Sequence, residues 1–355
     1  MPVLDRSKIR ADVLKLVDDY MKAQMNAIME FLAKEGKGVD FPALWGKVMA
    51  GNERFFRREM SVEELYSWLT KEEMLFLARM MRYALERVAA LEQQKRPLPS
   101  GITISRVDAG GVPAEWQVPP GALEDKVILY FHGGGMVIGS PRTHRPLTVR
   151  LGEEAKARVL SVDYRLAPEY SYPSQLEDCV KVYKWLLSTG VKPKNIVVAG
   201  DSAGGNLALT TLLKVRDEGV ELPAGAVCLS PVTDWTATDE TYFKNAKTDP
   251  ILADVGVFWW GAAYLAGANP ADPLISPLFA DLRGLPPILI QASTSEMLFG
   301  GCKRFVEKAR AAGVDATLQA WDDMPHVWQL FGMYILPEAE EAIAKIGELT
   351  RKLLW

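Results

Sequence analysis

The feature that most constrains the fold is a series of short apolar runs separated by segments of helix length. Segments such as 174–190 and 206–219 have the length of a helix and lie between successive runs. Strands that alternate with helices form a mostly parallel sheet with helices on both faces. The chain is therefore predicted to contain an α/β domain. The runs are VILYF (127–131), RVLSVDY (158–164), NIVVAG (195–200), GAVCLS (225–230), PILIQA (287–292) and ATLQAW (316–321).

One interval breaks this alternation. Residues 231–286 separate the fourth run from the fifth and are too many for a single crossover. The segment DVGVFWWGAAYLAG (254–267) within it is predicted to be helical. We therefore expect an insertion with helical structure at this place in the α/β domain.

The first 95 residues have a different pattern. From Ser7 to about Lys34 apolar residues recur every three or four positions, which is typical of an amphipathic helix. A second helical stretch is predicted from Ser61, with Glu64 three residues later as in a capping box. The segment KRPLPSG (95–101) ends the helical pattern with two prolines and a glycine. We expect these helices and the insertion to form one helical part beside the α/β body.

Composition excludes several classes of function. Charged residues make up 24% and hydrophobic residues 48% of the chain, as in ordinary globular proteins. The net charge of −4 gives no electrostatic case for binding nucleic acid or an anionic membrane. The cysteines Cys179, Cys228 and Cys302 form no CxxC pair, which argues against a disulfide framework and a structural zinc site. No signal peptide or membrane span is predicted, so we expect a cytoplasmic protein.

The segment VVAGDSAGGNLAL contains a candidate nucleophile, Ser202. Residues 200–204 fit the pattern G-x-S-x-G, follow a predicted strand and precede a predicted helix. In a nucleophile elbow the serine occupies a sharp turn between strand and helix, so its neighbours must be small. The same pattern also occurs in ordinary glycine-rich turns. The strand before it and the helix after it favour the catalytic interpretation.

A serine nucleophile needs a base, and the sequence contains only the histidines His132, His144 and His326. In α/β hydrolases the order along the chain is serine, acid, histidine. Only His326 follows Ser202, and it comes directly after the last predicted strand. His326 is therefore the predicted general base.

The acid is expected between the serine and the histidine, at the end of a strand. Glu296 lies in the loop after PILIQA and is the predicted acid. Asp322 and Asp323 are rivals, but they precede His326 by only three or four residues. Glu296 as a plain surface carboxylate is the other alternative.

The glycine triplet in FHGGG directly follows the first predicted strand of the body. Acyl transfer develops an oxyanion, and backbone N–H groups fixed in advance stabilise it. We predict an oxyanion hole formed by the N–H groups of Gly133, Gly134 and Ala203. A phosphate-binding loop is disfavoured, because the segment has neither a GK[ST] sequence nor a helix directly after it. His132 is then expected to orient the loop.

Taken together, the motifs resemble the hormone-sensitive lipase family of α/β hydrolases, in its bacterial and archaeal carboxylesterase branch. The resemblance covers roughly residues 101–353. Beyond FHGGG and GDSAGGN, the motifs that carry it are VDYRLAPEYSYPSQLED (162–178), LSPVTDWT (229–236), DPLISPLFADLRGLPP (272–287) and DMPHVWQLF (323–331).

The resemblance implies an α/β-hydrolase fold with an eight-stranded mixed sheet, a helical cap and hydrolysis of esters without a cofactor or metal. With the changes of pattern described above, we expect a helical cap region at residues 1–95 and a catalytic domain at 96–355, with a cap insertion at roughly 231–270. The resemblance also implies the roles assigned above to Ser202, His326, Gly133, Gly134 and Ala203. Much of the family has aspartate where this chain has Glu296, although some branches use glutamate.

These observations predict a serine carboxylesterase that hydrolyses small to medium acyl esters through an acyl-enzyme. The alternatives are a lipase with its N-terminal amphipathic helix on a lipid surface, a lactonase or amidase, and a receptor on the same fold without turnover. The expected partner is a small-molecule ester, with no nucleic acid and no membrane span. A homodimer is expected by analogy with the family.

Overall fold

A computed structural model of the chain describes residues 4–253 and 256–355. Its centre is a sheet in the order β1-β2-β4-β3-β5-β6-β7-β8. Strand β2 is antiparallel to both of its neighbours, and all other neighbouring strands are parallel. The strands are β1 (Thr103–Asp108), β2 (Pro113–Val118), β3 (Leu123–Phe131), β4 (Ala157–Val162), β5 (Ile196–Asp201), β6 (Gly225–Leu229), β7 (Ile288–Ser293) and β8 (Ala316–Trp321).

Strands β3 to β8 confirm the six predicted apolar runs. Strands β1 and β2 were not found from any apolar run. Most side chains of β1 are exposed at the edge of the sheet, and the buried residues of β2 include the polar Glu115 and Gln117. The mostly parallel α/β fold is therefore as predicted, and an antiparallel hairpin extends it at one edge.

From residue 4 onward, four α-helices precede the sheet: α1 (Ala11–Glu35), α2 (Phe41–Phe56), α3 (Val62–Ser67) and α4 (Lys71–Lys95). The predicted capping box is present, since the Ser61 side chain accepts from the N–H of Glu64 and the Glu64 side chain accepts from the N–H of Ser61. Helix α2 was not predicted. The first three residues of the N-terminal segment lie outside the described residues.

The remaining helices are α5 (Pro141–Ala155), α6 (Ser174–Ser188), α7 (Ala203–Asp217), α8 (Glu240–Lys244), α9 (Val257–Leu265), α10 (Phe299–Ala311), α11 (Trp328–Phe331) and α12 (Pro337–Leu354). Helix α9 confirms the helix expected in the insertion, although Asp254 and Val255 of that segment lie outside the described residues. In the part of the chain that the structure describes, no helix combines the length and the apolar character needed to cross a membrane.

Both faces of the sheet are covered, as the alternation predicts. Strand β3 illustrates this, because Leu129 and Phe131 belong to one apolar cluster and Ile128 and Tyr130 to another. Helices α6, α7 and α10 cover the first face, and α5 and α12 cover the second. Successive side chains of a strand point to opposite faces, so a strand buried on both sides is apolar throughout.

The N-terminal helices pack on the insertion and on the body. The side-chain amide of Asn52 in α2 donates to the carbonyl of Ala253 in the insertion. From α4, Arg82 donates to the carbonyls of Val137 and Ala167 in the body, each at 2.7 Å, and pairs with Glu169. These contacts hold the helices above the carboxyl ends of the strands, where α/β folds bind ligands.

Candidate active site

Ser202 lies in a strained turn between β5 and α7. Its φ of 52° and ψ of −118° are unusual for a residue other than glycine, and such strain recurs at functional sites. The turn is tight, since a Cβ atom on Gly204 would lie 2.0 Å from the carbonyl oxygen of Phe131. A Cβ atom on Gly200 would lie 2.4 Å from the carbonyl oxygen of Gly204. The glycines of G-x-S-x-G are thus required by close backbone contacts on both sides of the serine.

His326 and Glu296 form a buried pair. The Nδ1 atom of His326 lies 2.7 Å from Oε2 of Glu296, and 3% and 0% of the two residues are exposed. Because a carboxylate only accepts, Nδ1 carries a proton, and in the neutral ring Nε2 keeps its lone pair. The other oxygen of Glu296 accepts from the N–H of Ser293 at 3.0 Å. His326 and Ser202 line the same cavity.

The rival aspartates lie elsewhere. Asp322 is exposed and accepts a hydrogen bond from the Thr294 hydroxyl at 2.7 Å. Asp323 is also exposed. Among the described residues, the carboxylate bonded to His326 belongs to Glu296, and neither aspartate makes such a bond.

The environment of His326 favours its protonated form. Burial alone lowers the pKa of an imidazole, but the hydrogen bond and charge of Glu296, followed by the charges of Asp249 and Asp201, raise it. The net pKa of His326 is above its ordinary value. The site therefore stabilises an imidazolium, the species formed when this histidine accepts a proton from a nucleophile.

The glycine loop after β3 is anchored by Asp201. The N–H of Gly133 donates to Oδ1 of Asp201 at 2.9 Å, and the Tyr130 hydroxyl donates to the same oxygen at 2.7 Å. This geometry contradicts the prediction that Gly133 donates to an oxyanion, because its N–H already has a carboxylate acceptor. For the N–H groups of Gly134 and Gly135, the described part of the chain provides no acceptor.

The second and third glycines meet different constraints. Gly134 has a φ of 116°, which a residue with a side chain rarely adopts. At Gly135 the φ is 60°, and a Cβ atom would lie 2.1 Å from the indole of Trp260 in α9. In the triplet, Gly133 approaches Asp201 closely, Gly134 and Gly135 both have backbone conformations that favour glycine, and Gly135 also contacts the insertion.

Two further histidines support the loop. His132 is buried, its Nδ1 lies 2.8 Å from the carbonyl of Gly133, and its ring stacks on Tyr164. Burial, with a smaller contribution from His144, lowers the pKa of His132 to about 3, so this ring is neutral. The Nε2 atom of His144 lies 3.4 Å from Oδ2 of Asp201. His132 contacts the loop, as expected of an orienting residue.

Asp201 is a residue that sequence reasoning missed. Burial alone raises the pKa of its carboxyl, but the charge of His144 and the hydrogen bonds from His144 and Tyr130 lower it, and the net pKa is below the ordinary value. An ionised Asp201 therefore fixes Gly133. In the sequence, Asp201 is marked only by its position as the second residue of G-x-S-x-G. Its hydrogen bond to Gly133 on the glycine loop could not be predicted from that position.

Above Ser202 lies a mainly apolar cavity of about 170 Å³. Side chains from α1, α2, α4, the insertion and α11 form most of its wall, and Ser202, His326 and Gly134 lie at the end nearest the sheet. Among residues 4–253 and 256–355, no group of three His, Cys, Asp or Glu side chains is placed to hold a metal ion. The apolar wall consists mainly of Met21, Met25, Ile28, Trp45, Met80, Met81, Leu85, Ile251, Leu252, Trp260, Leu330 and Phe331.

Known proteins share this fold and its motifs. A model of the alpha/beta hydrolase fold family matches residues 128–330. An acetyl-hydrolase of Streptomyces hygroscopicus is 39% identical over 69% of this chain and 81% of its own length. An esterase of Acinetobacter venetianus is 37% identical over 74% of this chain and 87% of its own length. The crystal structure of an esterase from the bacterial hormone-sensitive lipase family is 43% identical, with a TM-score of 0.75, and covers 87% of this chain and 99% of that one.

These matches and the fold define an α/β hydrolase that hydrolyses carboxylic esters. The chain belongs to the hormone-sensitive lipase family.

Proposed function

We propose that Ser202 is the nucleophile, His326 the general base and Glu296 the acid of a serine carboxylesterase. The observation that carries this proposal is the placement of Ser202, in a strained turn on a cavity that His326 also lines. The buried carboxylate on the far nitrogen of His326 completes the arrangement. Each of the three residues lies at the carboxyl end of a different strand, so the sheet itself brings them together.

The first half of the reaction forms an acyl-enzyme. Nε2 of His326 accepts the hydroxyl proton of Ser202 as Oγ attacks the ester carbonyl carbon. Glu296 stabilises the imidazolium that results. His326 then donates this proton to the departing alkoxide, the carbon–oxygen bond to the alcohol breaks, and the acyl group remains on Ser202.

The second half uses water. His326 removes a proton from a water molecule, which attacks the acyl carbon, and then returns the proton to Oγ of Ser202. A carboxylic acid leaves and the enzyme returns to its starting state. Each half passes through a tetrahedral oxyanion, which needs hydrogen-bond donors.

The oxyanion hole is best formed by the N–H groups of Gly134, Gly135 and Ala203. The first two have no acceptor within the described residues, and Ala203 is the first residue of α7, where helix N–H groups lack partners. The N-terminus of α7 also favours negative charge at this point. Gly133 is left out, because Asp201 holds its N–H.

The preferred substrates are esters with small to medium acyl chains. The cavity above Ser202 is mainly apolar, which suits an acyl chain better than a charged group. We propose that residues 1–95 and the insertion at roughly 231–270 form the cap that roofs it. Its methionines can adjust their shape to chains of several lengths.

A lipase on a lipid surface is a weaker candidate. Helix α1 buries Val13, Val17 and Phe31 against the rest of the protein, so its principal apolar face is occupied. A receptor without turnover is also weaker, because Ser202 and His326 line one cavity and Glu296 is bonded to His326, as a hydrolase would need.

Location and assembly are extensions of the proposal. Cys179, Cys228 and Cys302 are free and buried, which supports a reducing compartment such as the cytoplasm.

We propose a homodimer formed through β8, because among the described residues no strand pairs with its outer edge. Light scattering after gel filtration would test this assembly, and a monomer at micromolar concentration would contradict it.

Labelling with an organophosphate tests the site directly. Intact-mass spectrometry should show one adduct on the natural protein and none on Ser202→Ala. His326→Gln should label far more slowly, since the serine then lacks its base. Persistent labelling of Ser202→Ala would show that another residue is the nucleophile.

A further inference from the structure

The loop that carries Glu296 is held from the insertion by a short segment, residues 245–249. The side-chain amide of Asn245 donates to the carbonyls of Thr294 and Glu296, at 3.0 and 2.9 Å. The hydroxyl of Thr248 donates to the carbonyl of Ser295 at 3.0 Å. Three successive backbone carbonyls of the acid loop are thus bonded to side chains of this segment.

Asp249 completes the attachment and extends it to the cavity wall. Its side chain is buried, with 1% of the residue exposed, and Oδ2 accepts from the N–H of Met297 at 3.0 Å. Oδ1 accepts from the N–H groups of Ile251 and Leu252, at 3.1 and 3.0 Å. Ile251 and Leu252 line the cavity above the serine. One carboxylate therefore joins the residue after Glu296 to the wall that faces substrate.

The acid loop needs such support because it belongs to neither the strand before it nor the helix after it. Glu296 follows β7 by three residues and precedes α10 by three. Loops are ordinarily more mobile than the elements they connect. A glutamate also has one more rotatable bond than the aspartate frequent in the family, so the backbone must be held firmly for its carboxylate to stay on His326.

We propose that Asn245 and Asp249 are positioning residues of this hydrolase, which fix the loop so that Glu296 stays bonded to Nδ1 of His326. This inference rests on the proposed function, in which Glu296 is the acid. Neither residue touches the reacting atoms. Asn245 acts through the carbonyls of the loop, and Asp249 acts through the N–H of Met297.

Asp249 also contributes charge. The carboxylates that raise the pKa of His326 are those of Glu296, Asp249 and Asp201, in that order. The net pKa of Asp249 is above its ordinary value, because burial raises it more than the charge of His326 and the N–H groups of Met297 and Leu252 lower it. In its ionised form Asp249 adds a negative charge that favours the imidazolium of His326. A change that removes this charge should therefore make His326 easier to deprotonate.

The experiment compares Asn245→Ala, Asp249→Asn and Asp249→Glu with Asn52→Ala. Asn52 is also buried and also donates to a backbone carbonyl of the insertion, but it makes no bond to the acid loop. We would measure kcat and KM on p-nitrophenyl butyrate across the pH range, together with the melting temperature. Asn245→Ala should lower kcat by about tenfold to a hundredfold, with little change in KM. Asn52→Ala should lower the melting temperature, and any change in its activity should fall on KM rather than on kcat.

The pH profile separates positioning from charge. Asp249→Asn should move the acidic limb of kcat/KM to lower pH, whereas Asp249→Glu should leave that limb near its natural position. If the limb of Asp249→Asn does not move and Asn245→Ala behaves like Asn52→Ala, the positioning role is wrong. Should Asp249→Asn fail to fold, Asn245→Ala and Asp249→Glu still decide the question.

A double-mutant cycle links the effect to Glu296. If Asn245 acts through the acid, Asn245→Ala should cost far less kcat in the Glu296→Gln background than in the natural enzyme. Equal losses in both backgrounds would show a general structural role and overturn the inference. Full activity of Glu296→Gln alone would instead mean that the proposed acid is misassigned, which is a different failure.

Discussion

The loops around Ser202 and the roof of the cavity differ in whether backbone or side chains form their contacts. Around Ser202 the backbone itself leaves no space, since a Cβ atom on Gly204 would lie 2.0 Å from a carbonyl oxygen. The roof is formed by side chains such as Met25 and Met81, and Met25 is half exposed. Backbone contacts fix the reacting groups, whereas flexible side chains shape the space for substrate. If the proposed function is correct, we expect changes in the loops to alter the chemistry and changes in the roof to alter the preference for acyl-chain length.

The largest loss of kcat is expected from a substitution of Ser202 in the α/β body. Ser202→Ala should lower kcat by about 10⁶, since a triad without its nucleophile retains only the catalysis of binding and the oxyanion hole. The measurement is hydrolysis of p-nitrophenyl butyrate by purified protein. The control is Ser188→Ala, whose hydroxyl bonds a carbonyl on an exposed part of α6. Equal rates for the two variants would remove Ser202 from the mechanism.

The next effect concerns the acid. Glu296→Gln should lower kcat by about 10⁴, because an amide can hold His326 but cannot stabilise the imidazolium. Asp322→Asn and Asp323→Asn should change kcat by no more than about twofold, as expected for exposed side chains without a bond to His326. A larger loss in either aspartate variant would assign the acid to that residue.

The pH dependence should show a smaller, graded effect. His326 must be neutral to accept a proton, and its pKa is above the ordinary value of 6.5. We therefore expect kcat/KM to rise with pH by about tenfold per unit on the acidic limb, and to reach half its maximum above pH 6.5. A stopped-flow or plate assay in constant-ionic-strength buffers measures this limb. A midpoint well below that pH would mean that the buried carboxylates do not act on His326 as described.

The smallest effect on kcat/KM is expected from a substitution in the roof of the cavity. Met25 and Met29 lie one turn apart on α1 and are 51% and 59% exposed, but only Met25 lines the cavity. Met25→Ala should lower kcat/KM for octanoyl and decanoyl esters by about fivefold, through the loss of about 1 kcal/mol of apolar contact. The acetyl ester should be unaffected, and Met29→Ala should leave the whole profile unchanged. Identical profiles for the two variants would show that α1 does not contact the acyl chain.

Much of the body could be predicted because its signals are local. Each of β3 to β8 contains a short, mainly apolar segment, and Ser202 lies in a motif whose flanking strand and helix are also local. Glu296 could be selected because the chain order and the end of β7 leave few positions for an acid. Strands β1 and β2 could not be found in this way, since β1 is an exposed edge strand and the buried residues of β2 include the polar Glu115 and Gln117.

The parts that could not be predicted depend on partners far apart in the chain. Helix α2 contains Gly46 and Gly51 in its interior, which argue against a helix when read locally. Gly51 is explained only by its neighbours, since a Cβ atom there would lie 2.6 Å from Phe258 and from Trp68. The bond between Gly133 and Asp201 likewise joins two motifs 68 residues apart. That bond is why the first glycine of the triplet was assigned wrongly.

The contact between Gly135 and Trp260 has a consequence for protein engineering. The indole occupies the space that any side chain at Gly135 would need. A cap transplanted from a relative will fit only if its own residue at this point leaves the glycine loop where it is. The loop and the helix that covers it should therefore be exchanged as one cassette, and chimaeras that split them should be recovered rarely from a library.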